Sequence, residues 1–183
     1  MVNQIFSGYH RSQVTCTQCH GNFNTYDLFM DISIDIKSLP SVTRGLEKFI
    51  TPELLDRDNA YFCTNCKRKV AARKRFTIHK APKVLTLQLK RFDYNRGFNG
   101  GKINKFIQYP AHLNLQPFMS SRKEPVPYHL YAVLVHEGFS CNSGHYYCYV
   151  KAPNGTWYLM NDSQVMASSH DKVLHQVRRQ DWT

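Results

Sequence analysis

Two Cys-x-x-Cys motifs, Cys16-x-x-Cys19 and Cys63-x-x-Cys66, constrain this chain more than any other feature. A Cys-x-x-Cys on a tight turn presents two sulfurs to one ion and leaves room for a second pair, and zinc takes four such ligands in a tetrahedron. The interval between Cys19 and Cys63 is long for a zinc ribbon. The two turns must therefore meet at neighbouring tips of a longer hairpin-like projection, with the intervening strand and helices as the return path. Four cysteines leave no open coordination position, so one such zinc ion holds structure and does not act on substrate. Unmetallated thiols or a redox pair are the alternatives at this level. His20, beside Cys19, is a substitute ligand but reads as a bystander.

Cys141 and Cys148 stand apart from these pairs. The opening MVNQIFSGYH has no basic start followed by an apolar block, so nothing directs the chain to secretion. The cysteines are then reduced thiols or metal ligands before they are disulfides, and the chain reads as intracellular, in the nucleus or cytoplasm. Its 183 residues, 42% hydrophobic, have room for one domain that buries roughly 70% of its unfolded surface without disulfide staples. That apolar content excludes a disordered basic tail, and no run is long enough to span a membrane. The formal charge of +11 favours anionic partners such as nucleic acid or acidic protein faces. Its densest stretch, residues 67–75, carries Lys67-Arg68-Lys69 and Arg73-Lys74-Arg75 directly behind the second cysteine pair. It reads as a nucleic-acid contact, a nuclear localisation signal, or the solvated face of a strand.

Periodicity sets the fold class. From Leu28 to Ile36, Leu28, Met30, Ile32, Ile34 and Ile36 alternate with Phe29, Asp31, Ser33 and Asp35, which predicts one strand with one buried face. Behind Ser41 the spacing of Val42, Leu46, Phe49 and Ile50 predicts a short amphipathic helix. Thr51-Pro52 reads as the start of a second helix, leading into a polar turn at Asp56-Arg57-Asp58-Asn59. Strands are predicted over 73–79, over 84–92 with Leu85, Leu87 and Leu89 on one face, and over 128–136, 145–151 and 157–160. Asn95 to Gly101, with three glycines, reads as a loop. The class is α+β, mostly antiparallel β with a few short helices.

His145 opens one of these strands behind a glycine-bearing loop, Gly138 to Gly144, and so stands at the edge of a cleft. An Asn or Asp on the next strand can hydrogen-bond one ring nitrogen, the supporting role in a Cys-His-Asn/Asp site. The intervening turn chooses between them. If Asn154-Gly155 is a two-residue loop, Cys148 faces Asn161, and Asn161 lies opposite His145. If Pro153-Asn154-Gly155 is a three-residue loop, Tyr147 faces Asn161, and Asn161 shares the face of His145. Pro suits the first central position of a type I turn and Gly the left-handed position after it, so the second register and Asn161, rather than Asp162, are predicted. The alternative is a strand-edge histidine with a purely structural partner.

Together these residues resemble the ubiquitin-specific proteases, the papain-like ubiquitin carboxyl-terminal hydrolases. The matching pieces are the two cysteine pairs, Leu87-Gln88-Leu89-Lys90-Arg91-Phe92, Gly144-His145-Tyr146, Trp157-Tyr158 and Asn161-Asp162-Ser163. Ala60-Tyr61-Phe62-Cys63, Lys74 to His79 and Tyr131 to His136 are most similar to the group containing ubiquitin carboxyl-terminal hydrolases 36 and 42.

The resemblance implies a partial papain-like hand over residues 1–175, with zinc-bearing fingers at 14–80, an antiparallel palm at 81–175 and no thumb. Residues 176–183 do not match the family. It further implies a thiol-dependent deubiquitinase that hydrolyses the isopeptide bond at the ubiquitin C-terminus. His145 would be general base and acid, Asn161 its orienting partner and Asp162 an auxiliary residue. Phe92, Gly144 and Tyr146 would contact ubiquitin, the last two along the channel for its tail, under the loops at 95–101 and 137–143. The family's nucleophilic cysteine box has no counterpart in these 183 residues. Cys148 would point to the face opposite His145, and Cys141 lies in a covering loop with no helix to activate it. The chain alone is therefore expected to be inactive. The competing readings are an inactive ubiquitin-binding module, with Tyr61, Phe62 and Phe92 as aromatic anchors, and a basic zinc protein that binds nucleic acid.

Overall fold

The computed structural model describes residues 1–93, 101–138 and 143–175. The loop predicted at Asn95 to Gly101 lies outside these residues up to Gly101, as do Cys141 and the tail at 176–183. The chain divides into two compact units, one of residues 1–34, 44–88 and 114–127, the other of residues 35–43, 89–113 and 128–183. Their described parts are built mainly of antiparallel strands with a few short helices, as the α+β reading requires.

The first unit is organised by a four-stranded sheet in the order Asn22–Phe29, Gly8–Cys16, Ala72–Lys80, Glu53–Leu55. Neighbouring strands are antiparallel throughout. Cys16 ends its strand opposite Ala72, and Thr15 pairs with Asn22, so the first Cys-x-x-Cys forms the turn of a hairpin. Cys63 ends the strand Tyr61–Cys63 and pairs with Arg68, which makes the second Cys-x-x-Cys the turn of another. The projecting hairpin tips required by the long interval are thus present.

The strand predicted over 84–92 is reduced to Leu87–Leu89, with Phe92–Asp93 in a separate pair, and two further expectations fail in this unit for local reasons. The strand predicted from Leu28 to Ile36 breaks at a bend at Met30 into Asn22–Phe29 and Ile32–Ile34. Ile32, Ile34 and Ile36 are buried, but Phe29 has turned inward while Leu28 and Met30 remain 48% and 41% exposed. The bend shifts the period-two pattern by one residue, which sends each side chain before it to the other face. Thr51-Pro52 starts no helix. The predicted amphipathic helix runs from Val42 to Phe49, and Thr51 Oγ1 donates to Glu47 O at 2.8 Å, so Thr51 closes that helix. The chain then continues as the strand Glu53–Leu55 against Ala72–Lys80.

The second unit contains a four-stranded antiparallel meander, Ala132–Glu137, His145–Lys151, Trp157–Asn161 and Gln164–Ser168, in chain order. Tyr149, Trp157 and Val173 form its buried cluster, with Leu130, Val133, Val135, Tyr147 and Leu159 packed around them. Val173 comes from the helix His170–His175, whose backbone is tied in by Tyr109 OH donating to Val173 O at 2.5 Å. The side chains that bury Tyr149 and Trp157 hold the two strands that carry His145 and Asn161. No helix among the described residues is long and apolar enough to cross a membrane.

Candidate metal centre and histidine site

The four cysteine sulfurs of the hairpin tips lie within 4.8 Å of one another. Cys16 Sγ is 3.8 Å from Cys66 Sγ, and Cys19 Sγ is 3.7 Å from Cys63 Sγ. Metal–sulfur bonds of about 2.3 Å in a tetrahedron place the sulfurs about 3.8 Å apart, so the constellation fits a thiolate-bound ion and is consistent with zinc. Both tips are built alike. Lys67 N donates to Cys63 O at 2.8 Å and His20 N to Cys16 O at 3.1 Å, and both Lys67 and His20 adopt positive φ, 56° and 57°. His20 thus serves the tip through its backbone, with its side chain exposed and outside the sulfur cluster.

The environment favours thiolates where it supplies donors. The backbone N–H groups of Cys19 and Gln18 reach Cys16 Sγ at 3.4 and 3.3 Å. These bonds, that of Cys19 foremost, bring the Cys16 thiol down to about 6 against the opposing effect of burial. Burial, reinforced by the neighbouring sulfurs, pushes Cys66 up to about 12. A divalent cation removes this conflict by supplying the positive charge that four crowded sulfurs lack. Tyr61 is half-buried and packs on the cluster with Phe23, whereas Phe62 is 56% exposed.

In the second unit, His145 Nε2 lies 2.5 Å from Asn161 Oδ1. The amide oxygen can only accept, so Nε2 is the donor of this bond and Nδ1 is left facing away from it. Asp162 Oδ2 stands 3.8 Å from the same nitrogen. The register behind this pairing is the one that the turn residues predict. Ala152 N donates to Thr156 O and Gly155 N to Ala152 O, both at 2.9 Å, and Gly155 takes φ +85° after Pro153 and Asn154. Cys148 then falls opposite Met160, and Lys151 opposite Trp157. Cys148 is three residues from His145 on the same strand and so points to the other face.

The residues at the two loop roots form a further cluster that the sequence reading missed in part. His136, at the end of its strand, packs its ring against Tyr146 at 4.7 Å and against Phe92 at 5.3 Å between centroids. Phe92 is half-buried there, whereas Tyr146 is 54% exposed. A Cβ on Gly144 would run into His136 Nε2 and stand 2.5 Å from Glu137 O, so the protein's own ring already requires glycine at this position. Lys102 Nζ donates to His136 O at 2.9 Å and to Gly138 O at 2.7 Å. These carbonyls flank Glu137, the cross-strand partner of His145. Burial, then the nearby Arg91, lowers the Lys102 ammonium, and burial with Lys102 lowers the His136 imidazole. Lys102 lies in no motif and His136 only ends the phrase Tyr131 to His136; the pairing of Lys102 with Phe92 across a short hairpin and its bonds to the two carbonyls bring them together.

The basic stretch divides into exposed side chains and side chains engaged within the fold. Lys67, Arg68, Lys69 and Arg73 are exposed. Lys74 pairs with Glu53 at 3.7 Å and lies over the Phe76 ring, while Arg75 Nε donates to Ile50 O at 2.9 Å.

The sequence model described as ubiquitin carboxyl-terminal hydrolase matches residues 1–180. The chain is 52% identical to human ubiquitin carboxyl-terminal hydrolase 42, over 96% of this chain and 13% of that protein. It is 48% identical to human ubiquitin carboxyl-terminal hydrolase 17-like protein 6, over 96% of this chain and 44% of that one. It therefore spans less than half the length of these curated relatives. Among solved structures it is similar to the SAGA Ubp8/Sgf11/Sus1/Sgf73 DUB module bound to ubiquitin aldehyde, with a TM-score of 0.86 and 33% identity over 94% of this chain and 40% of that one. The same module bound to monoubiquitin matches with a TM-score of 0.86 and 35% identity, over 94% and 39% of the two chains.

Proposed function

Because the chain belongs to the ubiquitin carboxyl-terminal hydrolase family, we propose that it carries the ubiquitin-holding surface and the histidine half of a thiol-dependent deubiquitinase. The observation that carries this reading is the pairing of His145 Nε2 with Asn161 Oδ1. A histidine so oriented presents a basic Nδ1, the group needed to take a proton from a cysteine thiol. The thiolate attacks the carbonyl at the ubiquitin C-terminus, and His145, now protonated, passes its proton to the departing lysine amine. It then takes a proton from the water that hydrolyses the thioester. Asp162, beside Nε2, adds favourable charge while the ring is protonated.

In this reading residues 14–80 form the fingers and 81–175 the palm of a hand-like fold that contacts ubiquitin. Gly144 and Tyr146 border the path of its tail, and Phe92 contacts ubiquitin. The Ubp8 modules to which this chain is similar are bound to ubiquitin aldehyde and to monoubiquitin, which supports ubiquitin as the partner. One zinc ion on Cys16, Cys19, Cys63 and Cys66 holds the finger tips together and, with all four positions filled by protein, takes no part in the reaction.

In this reading the nucleophile comes from outside these 183 residues, with Cys141, which lies outside the described residues, as the alternative the test addresses. Four of the cysteines converge on one cluster, and Cys148 points away from His145. Purified chain should therefore give no turnover of ubiquitin-rhodamine yet bind labelled ubiquitin saturably. A flat NMR titration at high micromolar protein would remove ubiquitin as the partner. Turnover abolished by Cys141→Ala would place the nucleophile within the chain.

A further inference from the structure

We infer that His112 and His129 form a second metal-binding site, an open two-imidazole chelate on the protein surface for a late first-row divalent ion such as Ni2+ or Zn2+. The two residues lie on the paired strands His112–Asn114 and Pro127–His129. Leu130 N donates to Ala111 O at 2.9 Å and Leu115 N to Val126 O at 2.8 Å, which makes the ribbon antiparallel with His112 opposite His129. Counting from those bonds, the histidines occupy a non-hydrogen-bonded position, where facing side chains approach most closely. Exposure alternates along both strands, and both imidazoles are on the exposed face.

The donor atoms already converge. His112 Nδ1 and His129 Nδ1 are 2.8 Å apart, with the rings perpendicular. One ring must donate and the other accept in this state. If the donating ring moves its proton to Nε2 through solvent, two lone pairs face one point and no net proton is released. Two metal–nitrogen bonds of about 2.05 Å need a separation of about 3.3 Å at the tetrahedral angle of zinc and about 2.9 Å at the right angle of Ni2+. The rings must therefore open by at most about half an ångström, which exposed side chains allow. The strands need not be ordered by the ion, because Asn114 Oδ1 already accepts from Gln116 N at 3.1 Å and from Val126 N at 3.0 Å. Such preorganisation removes part of the entropic cost of chelation.

The chemistry differs from that of the sulfur cluster. Imidazole pairs suit nickel, copper and zinc, and two protein ligands leave the remaining positions to water or to a side chain of a partner. The test uses the full chain with its cysteine cluster loaded with zinc. Titration with Ni2+ at neutral pH should show uptake of one further equivalent, paramagnetic broadening confined to the His112 and His129 imidazole signals, and a raised melting temperature. His112→Gln and His129→Gln should each weaken uptake by at least about tenfold, the scale on which even outer-shell changes act. His170→Gln should leave it unchanged. Circular dichroism establishes that each variant is folded. Uptake that persists unchanged in the doubly substituted chain, broadening at other histidines, or no uptake at millimolar Ni2+ would overturn the inference.

Discussion

Asn161 meets His145 because Gly155, six residues before it in the chain, adopts φ +85°. That left-handed residue completes a three-residue turn, the turn sets the pairing of Lys151 with Trp157, and that register brings Asn161 to the start of the histidine strand, on the face of His145. A residue with a branched side chain resists this conformation by about 1–2 kcal/mol. Gly155→Val should lower stability to unfolding by urea by about that amount. It should also weaken the hydrogen bond at His145, seen as a shift of its imidazole nitrogens by NMR.

Removing the acceptor itself should alter the ring without altering the fold. In Asn161→Leu the His145 imidazole should lose its single Nε2–H tautomer and show a mixture by nitrogen chemical shift, while the melting temperature changes little. An unchanged tautomer would mean that Asn161 does not orient the ring.

Lys102 ties the hairpin that begins at Phe92 to the carbonyls on either side of Glu137. Bonds from a charged donor contribute about 1.5–3 kcal/mol each when fully protected, and the partial exposure of Lys102 reduces this. Lys102→Met should therefore cost about 2 kcal/mol in total. Amide exchange should quicken along residues 132–137 more than in the cysteine-bearing tips.

His136 makes stability depend on pH. Burial, with the charge of Lys102, holds its imidazole below the ordinary value of 6.5, so the folded state resists the proton that the unfolded state accepts. Its contribution is complete above pH 6.5 and is lost as pH falls through the lower folded value. Urea unfolding from pH 8 to 5 should show stability declining on the acid side. The decline should be shallower in His136→Phe, which keeps the aromatic contacts with Phe92 and Tyr146.

The sulfur cluster should hold one metal ion per chain and lose it on acidification, because all four ligands bind as thiolates. Dialysis at pH 7.5 and at pH 5, followed by metal analysis, measures this. Cys66→Ser should reduce the bound metal and unfold the tips Cys16–Asn22 and Cys63–Arg68 at a lower temperature than the meander.

The features legible in the sequence are those whose cause is local. Cys-x-x-Cys spacing depends on one tight turn, and the meeting of His145 with Asn161 depends on Pro153-Asn154-Gly155 and on strand alternation. The failures are equally specific. Thr51-Pro52 has the residues of a helix start, yet Thr51 is claimed by the carbonyl of Glu47 and the chain is drawn onto the edge of a sheet. Alternation from Leu28 to Ile36 is blind to the bend that turns Phe29 inward.

What the amino-acid order determines by itself is the set of chemical groups, their family pattern and the short-range geometry that turns impose. Tertiary structure decides which distant groups share a site. The cysteine pairs meet because two separate hairpins place their tips together, and Lys102 reaches His136 because two backbone carbonyls there need a donor. No spacing rule links residues 102 and 136, because nothing along the chain between them holds one against the other. Only packing and the demand that buried polar groups be satisfied bring them into contact.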